Sequence, residues 1–154
     1  MYNVSTAFLV ASILTELCTL LHVSTAFKEN KLSEGCIEIQ HYGFCDLNIL
    51  NISKITSSCV DNMVTLNTFA TPTIKASDGT IYVKSVDSIL NYVVFAHNYP
   101  LCSYFSCPLM PNVSTSSSVT AFDFTFGATG GIDSKIKITD SNGRELACIN
   151  AHFA

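Results

Sequence analysis

The chain has 154 residues, the length of a single domain with room for one sizeable hydrophobic core. Apolar residues make up 48% of the sequence and charged residues only 13%, while the formal net charge is −4. Because the chain is acidic and contains no run of lysine or arginine, a nucleic-acid partner is not expected.

The first 26 residues have the features of a secretory signal peptide. An apolar run extends from Ala7 to Leu21, and Ser24 and Ala26 supply the small residues that a signal peptidase requires. We therefore expect cleavage after Ala26, with residues 27–154 forming one mature, secreted domain. The alternative is an uncleaved membrane-anchoring segment, since Glu16 interrupts the apolar run.

Removal of this segment would also remove Cys18 and leave six cysteines. An even number of cysteines in a secreted chain predicts three disulfides, with fifteen connectivities open at this point. Two sequons of the predicted mature segment, at Asn51 and Asn112, predict N-glycosylation and fit the same secretory route. The six cysteines are Cys36, Cys45, Cys59, Cys102, Cys107 and Cys148.

The mature sequence is dominated by the two-residue alternation of β-strands. Turn residues recur about every ten positions, and "SDG" at 77–79 and "SNG" at 141–143 are typical of tight hairpin turns. The pattern predicts an all-β antiparallel sandwich of about seven to nine strands. One segment, residues 83–95, also fits helical spacing, but its β-branched and aromatic content favours a strand.

The alternation gathers one set of apolar side chains on the inner faces of the predicted strands. Three phenylalanines share a face on strand 119–126, opposite to that of Ala121, and small alanines follow on the last strand. Such a mixture could leave space between the sheets, and an apolar cavity is a natural lipid site; an ordinary packed core is the alternative. The candidate lipid-contacting residues are Phe122, Phe124, Phe126, Ile136, Ile138, Ile149, Val64, Leu66, Ile81 and Val83.

Nothing in the sequence indicates catalysis. His41, His97 and His152 are scattered, without the spacing of a zinc-binding helix. There is no nucleophile elbow or phosphate-binding glycine loop, and the carboxylates are isolated. Cys102 and Cys107 lack the second pair of a metal site, so a small disulfide loop is expected there. We predict no catalytic residue, no metal and no cofactor.

Three stretches resemble the ML family, the MD-2-related lipid-recognition domains. They carry a tyrosine shortly before Cys-Asp, a central cysteine loop with Cys-Pro, and a closing hairpin that ends near a final cysteine. Their order and spacing cover most of residues 36–153. The stretches are "YGFCDLNILNISKITSSC", "YPLCSYFSCPLMPNVSTSSSVTAFDFTF" and "GGIDSKIKITDSNGRELACINAHF".

The resemblance implies an immunoglobulin-like β-sandwich with an apolar cavity between its sheets, a lipid partner and an early cysteine bonded to the last one. The lipid would be a sterol, fatty acid, phospholipid or glycolipid, and the setting extracellular or the endolysosomal lumen, with a membrane receptor as a further partner. Two disulfide patterns are implied. The MD-2-like pattern, favoured by the separation of Cys45 from Cys59, is Cys36–Cys59, Cys45–Cys148 and Cys102–Cys107. The sterol-carrier-like pattern is Cys36–Cys148, Cys45–Cys59 and Cys102–Cys107.

The functional hypothesis is therefore a secreted, non-enzymatic lipid-binding or lipid-transfer protein. The alternative is a packed immunoglobulin-like interaction module that binds a protein partner without lipid. Aromatic residues are enriched at protein interfaces, and an exposed group of them would suit that second role. The group expected on the surface is Tyr92, Tyr99, Tyr104 and Phe105.

Overall fold

In a computed structural model of the protein, residues 36–45, 48–123 and 130–154 can be described. The expected signal peptide and the candidates Phe124 and Phe126 lie outside these ranges. Within the described ranges, no helix is long and apolar enough to cross a membrane. The elements are β1 (Ile39–Phe44), β2 (Leu50–Val60), β3 (Met63–Pro72), β4 (Gly79–Asp87), β5 (Val93–Pro100), the helical turn α1 (Leu101–Tyr104), β6 (Thr115–Asp123), β7 (Ile132–Asp140) and β8 (Glu145–Phe153).

The strands form two antiparallel sheets. The large sheet has the order β1-β8-β7-β4-β5, and the small sheet has the order β2-β3-β6. Along β7, Ile132, Ile136 and Ile138 are buried while Lys135 on the opposite face is exposed. Two-residue alternation therefore directs one face of each sheet to a shared core, and the predicted all-β sandwich is confirmed.

The segment 83–95 forms the end of β4, a turn and the start of β5, so the strand interpretation is confirmed. The turn is stabilised by Asp87, whose Oδ1 accepts the N–H groups of Ile89 at 2.9 Å and Leu90 at 2.7 Å. Asn91 adopts the left-handed conformation with φ +54°, which asparagine tolerates well. These contacts form a short turn after Asp87, and the chain then enters β5 at Val93.

Two local predictions are wrong, the outward orientation of Ala121 and the hairpin turn at residues 77–79. Ala121 is buried rather than facing away from Phe122, because the β3–β6 register shifts: Val64 pairs with Phe122 and Thr65 pairs with Thr120. This β-bulge leaves Ala121 without an opposite residue, so the alternation slips by one position.

The "SDG" segment at 77–79 does not connect a hairpin. It precedes β4 in the crossing from the small sheet to the large sheet, where Asp78 Oδ1 accepts the N–H of Gly79 at 2.7 Å. The "SNG" segment does connect β7 to β8, with Gly143 at φ +77°. Both segments contain turn-forming residues, but only the second joins neighbouring strands.

Three disulfides are present, Cys36–Cys59, Cys45–Cys148 and Cys102–Cys107. Of the two disulfide patterns that the resemblance implies, this is the MD-2-like one. Cys45–Cys148 links the end of β1 to β8, and the Cys45 N–H also donates to the Cys148 carbonyl oxygen at 3.1 Å. The last strand is thereby tied to the start of the sandwich.

Candidate functional site

The eight described candidate residues lie together between the sheets. Each exposes at most 2% of its surface, and all belong to one hydrophobic cluster. The small sheet contributes residues from β3 and β6, and the large sheet contributes residues from β4, β7 and β8. They are Val64, Leu66, Ile81, Val83, Phe122, Ile136, Ile138 and Ile149.

One predicted ring, that of Phe122, has a defined aromatic partner. It meets Phe153 edge to face, with ring centroids 5.0 Å apart. Phe153 belongs to the last strand and is also fully buried. The core at this point is therefore a ring pair that joins the two sheets.

The sheets are hydrogen-bonded to each other along one side of the sandwich. The buried Ser85 hydroxyl on β4 donates to the Ala121 carbonyl oxygen on β6 at 2.7 Å. The Tyr99 hydroxyl on β5 donates to the Thr120 carbonyl oxygen at 3.3 Å. Burial raises the pKa of Tyr99, which keeps the phenol protonated as that bond requires. The β4–β5–β6 side is closed by these contacts.

On the opposite side of the sandwich, between β1 and β2, the two sheets are linked before β1 begins and after it ends. The Cys36–Cys59 disulfide joins the approach to β1 to the end of β2. Beyond β1, the Ile49 N–H donates to the Leu146 carbonyl oxygen at 2.8 Å. From residue 40 to residue 44, no hydrogen bond between described residues links β1 to β2. We call this stretch the β1–β2 gap.

Two aromatic side chains of β1 lie at the β1–β2 gap. Tyr42 and Phe44 pair with Ala151 and Ile149, so they lie on the inner face of the large sheet. They are nevertheless 44% and 45% exposed, and their rings make an edge contact with centroids 6.2 Å apart. Inner-facing aromatics that remain half exposed indicate that the small sheet does not cover this edge.

Sequence reasoning missed Tyr42 and Phe44 as site residues. Their alternation with Gly43 is a usable signal for a strand, since all three residues lie in β1 (Ile39–Phe44). Exposure at a sheet edge depends on how far the facing sheet extends, and that is not a local property of the sequence.

Three cavities lined by described residues lie outside this apolar layer. Their volumes are about 510, 330 and 350 Å³. None of the three is lined by the eight core candidates, by Tyr42 or by Phe44.

The aromatic group expected on the surface is largely internal. Tyr99 and Phe105 expose 9% and 2% of their surfaces, and Tyr104 is half-buried against Tyr99 with centroids 4.8 Å apart. Only Tyr92, at 42%, is exposed as predicted. The prediction was wrong for the others because the end of β5 and α1 pack against β6 rather than facing solvent.

The histidines are less scattered than the sequence suggests. His41 and His152 stack with centroids 5.0 Å apart, and His152 Nδ1 lies 2.7 Å from Asp133 Oδ1. In the described part of the chain, no cluster of three or more histidine, cysteine or acidic residues could hold a metal ion. Asn51 and Asn112 are exposed, and their glycosylation stays a prediction.

Comparison with solved structures identifies the fold. A Niemann-Pick type C2 protein from the Japanese carpenter ant aligns with a TM-score of 0.54 and 15% identity, over 73% of this chain and 96% of that one. The chain has the β-sandwich fold of the ML domain. The fold expected from the three resembling stretches is thus confirmed.

A second similar structure is chicken MD-1 in complex with lipid IVa. Its TM-score is 0.46 and its identity 12%, over 73% of this chain and 86% of that one. No protein-family model and no curated protein sequence matches the chain.

Proposed function

We propose that the protein is a secreted, non-catalytic lipid carrier that holds the apolar part of its ligand between the two sheets. The ligand class is a sterol, fatty acid, phospholipid or glycolipid. The observation that carries the proposal is the β1–β2 gap, where the inner-facing Tyr42 and Phe44 are half exposed beside a continuous apolar layer. A ligand entering there would meet aromatic surface first and aliphatic surface beyond it.

Burial of an acyl chain would supply the binding free energy. Each methylene removed from water contributes about 0.8 kcal/mol, so ten of them contribute roughly 8 kcal/mol before the ordering costs of binding. Room for the chain requires the sheets to separate at the β1–β2 gap. β1 is an edge strand that pairs only with β8, so its displacement disturbs a single ladder. The Cys45–Cys148 disulfide would keep it attached.

Secretion into an extracellular or endolysosomal lumen is part of the same proposal. Three disulfides persist in oxidising compartments and are rare in the cytosol. Carriage between membranes, or presentation to a membrane receptor, would be the outcome of lipid capture there.

The competing function is a packed interaction module with a protein partner. The specific observation in its favour is that the eight core candidates already expose at most 2% of their surfaces. A fully packed core would have no place for a ligand, and the same disulfides would then serve stability alone.

Native mass spectrometry separates these functions. The protein would be secreted from a eukaryotic host, weighed intact under native conditions and then extracted with organic solvent. A lipid carrier retains a discrete added mass that extracts as sterol, fatty acid or phospholipid. A bare mass that stays bare after incubation with a panel of these lipids would favour the interaction module.

A pair of matched variants locates the route of entry. Phe44→Ser removes an aromatic ring at the β1–β2 gap, and Phe69→Ser removes an equally exposed ring, 42% against 45%, from the outer face of the small sheet. We expect the first variant to lose retained lipid and the second to keep it. Equal retention in both variants would exclude the β1–β2 gap as the opening.

A further inference from the structure

The outer face of the large sheet, opposite to the core, contains the cavity of about 510 Å³. A volume of this size lies in the usual range for small-molecule sites. We call it the outer groove. Its lining residues include His41 and Gly43 from β1, Asn150 and His152 from β8, Asp133 and Lys135 from β7, and Lys84 from β4.

Two lysines lie side by side in the lining of this groove. Lys84 on β4 and Lys135 on β7 are direct cross-strand partners, and both are exposed. Side chains in that relation start about 5 Å apart, and like charges placed there repel each other. Neither ammonium group has an ion-pair partner among the residues that the structure describes.

Cations of the adjoining β7–β8 hairpin form ion pairs, which sets Lys84 and Lys135 apart. Lys137, two positions further along β7, lies 2.9 Å from Glu145. Arg144 lies 2.8 Å from Asp140. The repulsive pair therefore lines a cavity whose one acidic lining residue, Asp133, forms no ion pair with either lysine.

The remaining polar groups of the outer groove are compatible with an anion. Asp133, its acidic residue, has its Oδ1 2.7 Å from His152 Nδ1. Asn91 and Asn150 add side-chain amide donors to the lining. A Cβ atom placed on Gly43 would meet nothing within 4 Å, so the floor of the groove is open at that position.

We propose that the outer groove binds the phosphate group of a water-soluble ligand, held between Lys84 and Lys135. Two ammonium groups match the charge of a phosphate monoester, and lysine is a common phosphate ligand in proteins. Binding of the dianion converts the cross-strand repulsion into two favourable contacts. The proposal is independent of lipid binding.

A phosphate group could also belong to a lipid, but the geometry favours a soluble source. The lysines project from the face of the large sheet that is opposite to the inner faces. A lipid whose chain lies between the sheets would have its headgroup on the other side of β4 and β7.

The test is a nuclear magnetic resonance titration of the purified protein at low ionic strength. Glycerol 3-phosphate is the probe, and glycerol is its uncharged counterpart. We expect saturable shifts of the amide signals of Lys84, Lys135, Gly43 and Asn150 with the first compound and none with the second. In the Lys84→Gln/Lys135→Gln variant, which removes both charge contacts, the affinity falls at least about tenfold, the effect expected from the loss of a single strong contact. The matched control, Lys75→Gln, removes an exposed lysine outside the groove and keeps wild-type affinity.

The variant is expected to fold, because it removes a repulsion from an exposed face; an unchanged unfolding midpoint verifies this. Non-saturating shifts, or an equal loss of affinity in Lys75→Gln, would overturn the proposal. Sedimentation with phosphatidylcholine vesicles that contain phosphatidylglycerol tests the lipid source. Lysine-dependent binding to vesicles without binding of glycerol 3-phosphate would overturn the soluble source.

Discussion

Ser85 and Ser134 form a buried polar pair between the two sheets. Their hydroxyl oxygens are 2.6 Å apart, and Ser85 also lies 2.7 Å from the Ala121 carbonyl oxygen. A carbonyl can only accept, so Ser85 donates to Ala121 and Ser134 donates to Ser85. Ala121 stands at the bulge of the β3–β6 ladder, where regular backbone pairing is interrupted. The Ser85 hydroxyl therefore supplies a hydrogen bond to a buried carbonyl at a point where the backbone ladder is irregular.

Ser85→Ala should cost about 1–3 kcal/mol of unfolding free energy, because it leaves a buried carbonyl and the Ser134 hydroxyl without this partner. Ser134→Ala should cost less, since the bond to Ala121 survives. The double variant should lose less than the sum of the two single changes. Urea unfolding measures all three, with the exposed Ser116→Ala as the control. Strictly additive losses would contradict the coupling of the two hydroxyls, and a larger loss in Ser134→Ala than in Ser85→Ala would contradict the assigned hydrogen-bond order.

The β7–β8 turn is organised by one carboxylate, that of Asp140. It accepts the N–H groups of Asn142 at 3.0 Å and Arg144 at 2.9 Å, and it pairs with the Arg144 guanidinium at 2.8 Å. Burial of the carboxylate opposes its ionisation, but the Arg144 and Asn142 hydrogen bonds and the Arg144 charge outweigh burial. The pKa of Asp140 is consequently lowered from its ordinary value.

This lowered pKa gives Asp140 a pH-dependent contribution to stability. The contribution is present above the ordinary aspartate pKa and is lost as the pH falls through the lower folded-state value. Asp140→Asn should therefore reduce the urea midpoint at pH 7, and the difference from the wild type should shrink as the solution is acidified towards about pH 2. Arg144→Gln should lose part of the same effect. A midpoint difference that is constant with pH would show that the charge of Asp140 is irrelevant.

The disulfides differ in the length of chain that they constrain. Cys45–Cys148 spans 103 positions, while Cys102–Cys107 spans 5. In the loop-entropy description, closing about a hundred residues contributes about 4.7 kcal/mol and closing a very short loop about 2 kcal/mol. Replacing both cysteines of the long bridge with alanine should thus cost about 2–3 kcal/mol more than the same change in the short one. Urea unfolding under oxidising conditions compares them, and equal losses would contradict this account.

Local patterns predicted the inner face of the regular strands, because side-chain alternation needs only neighbouring residues. Ile136 and Ile138 show this, since both are in the core as expected. Ala121 was misplaced because its position depends on a bulge with a distant strand. The exposure of Phe44 was missed for a similar reason: it depends on where the small sheet ends. Features that depend on pairing between distant strands cannot be predicted from the alternation of neighbouring residues.

At the scale of the whole molecule, the large sheet presents two chemically different faces. Its inner face contributes aliphatic side chains to the core, and its outer face carries the outer groove with Lys84 and Lys135. Alternate residues of the same strands build both faces. A change on one face can therefore be made with little effect on the other, which makes the proposed lipid and phosphate sites separately testable.

If a ligand binds in the interior, the unfolding free energy of the protein should depend on that ligand. Phe122→Ala removes a ring packed on Phe153 and should cost about 3–5 kcal/mol of unfolding free energy in delipidated protein. If the space between the sheets accepts lipid, oleic acid below its micellar concentration should stabilise the wild type and the variant. A hundredfold excess over the dissociation constant corresponds to about 2.7 kcal/mol.

Urea unfolding with and without oleic acid measures this coupling, and Phe69→Ala is the matched control on the outer face of the small sheet. Phe69 is 42% exposed, so its removal should cost little and leave the oleic acid increment at the wild-type value. In the Phe122→Ala variant, the gain in unfolding free energy caused by oleic acid should differ from the wild-type gain, because the new cavity lies inside the proposed ligand space. If oleic acid shifts the urea midpoint of neither the wild type nor the two variants, the core does not admit that lipid. The stability lost in Phe122→Ala would then reflect packing alone.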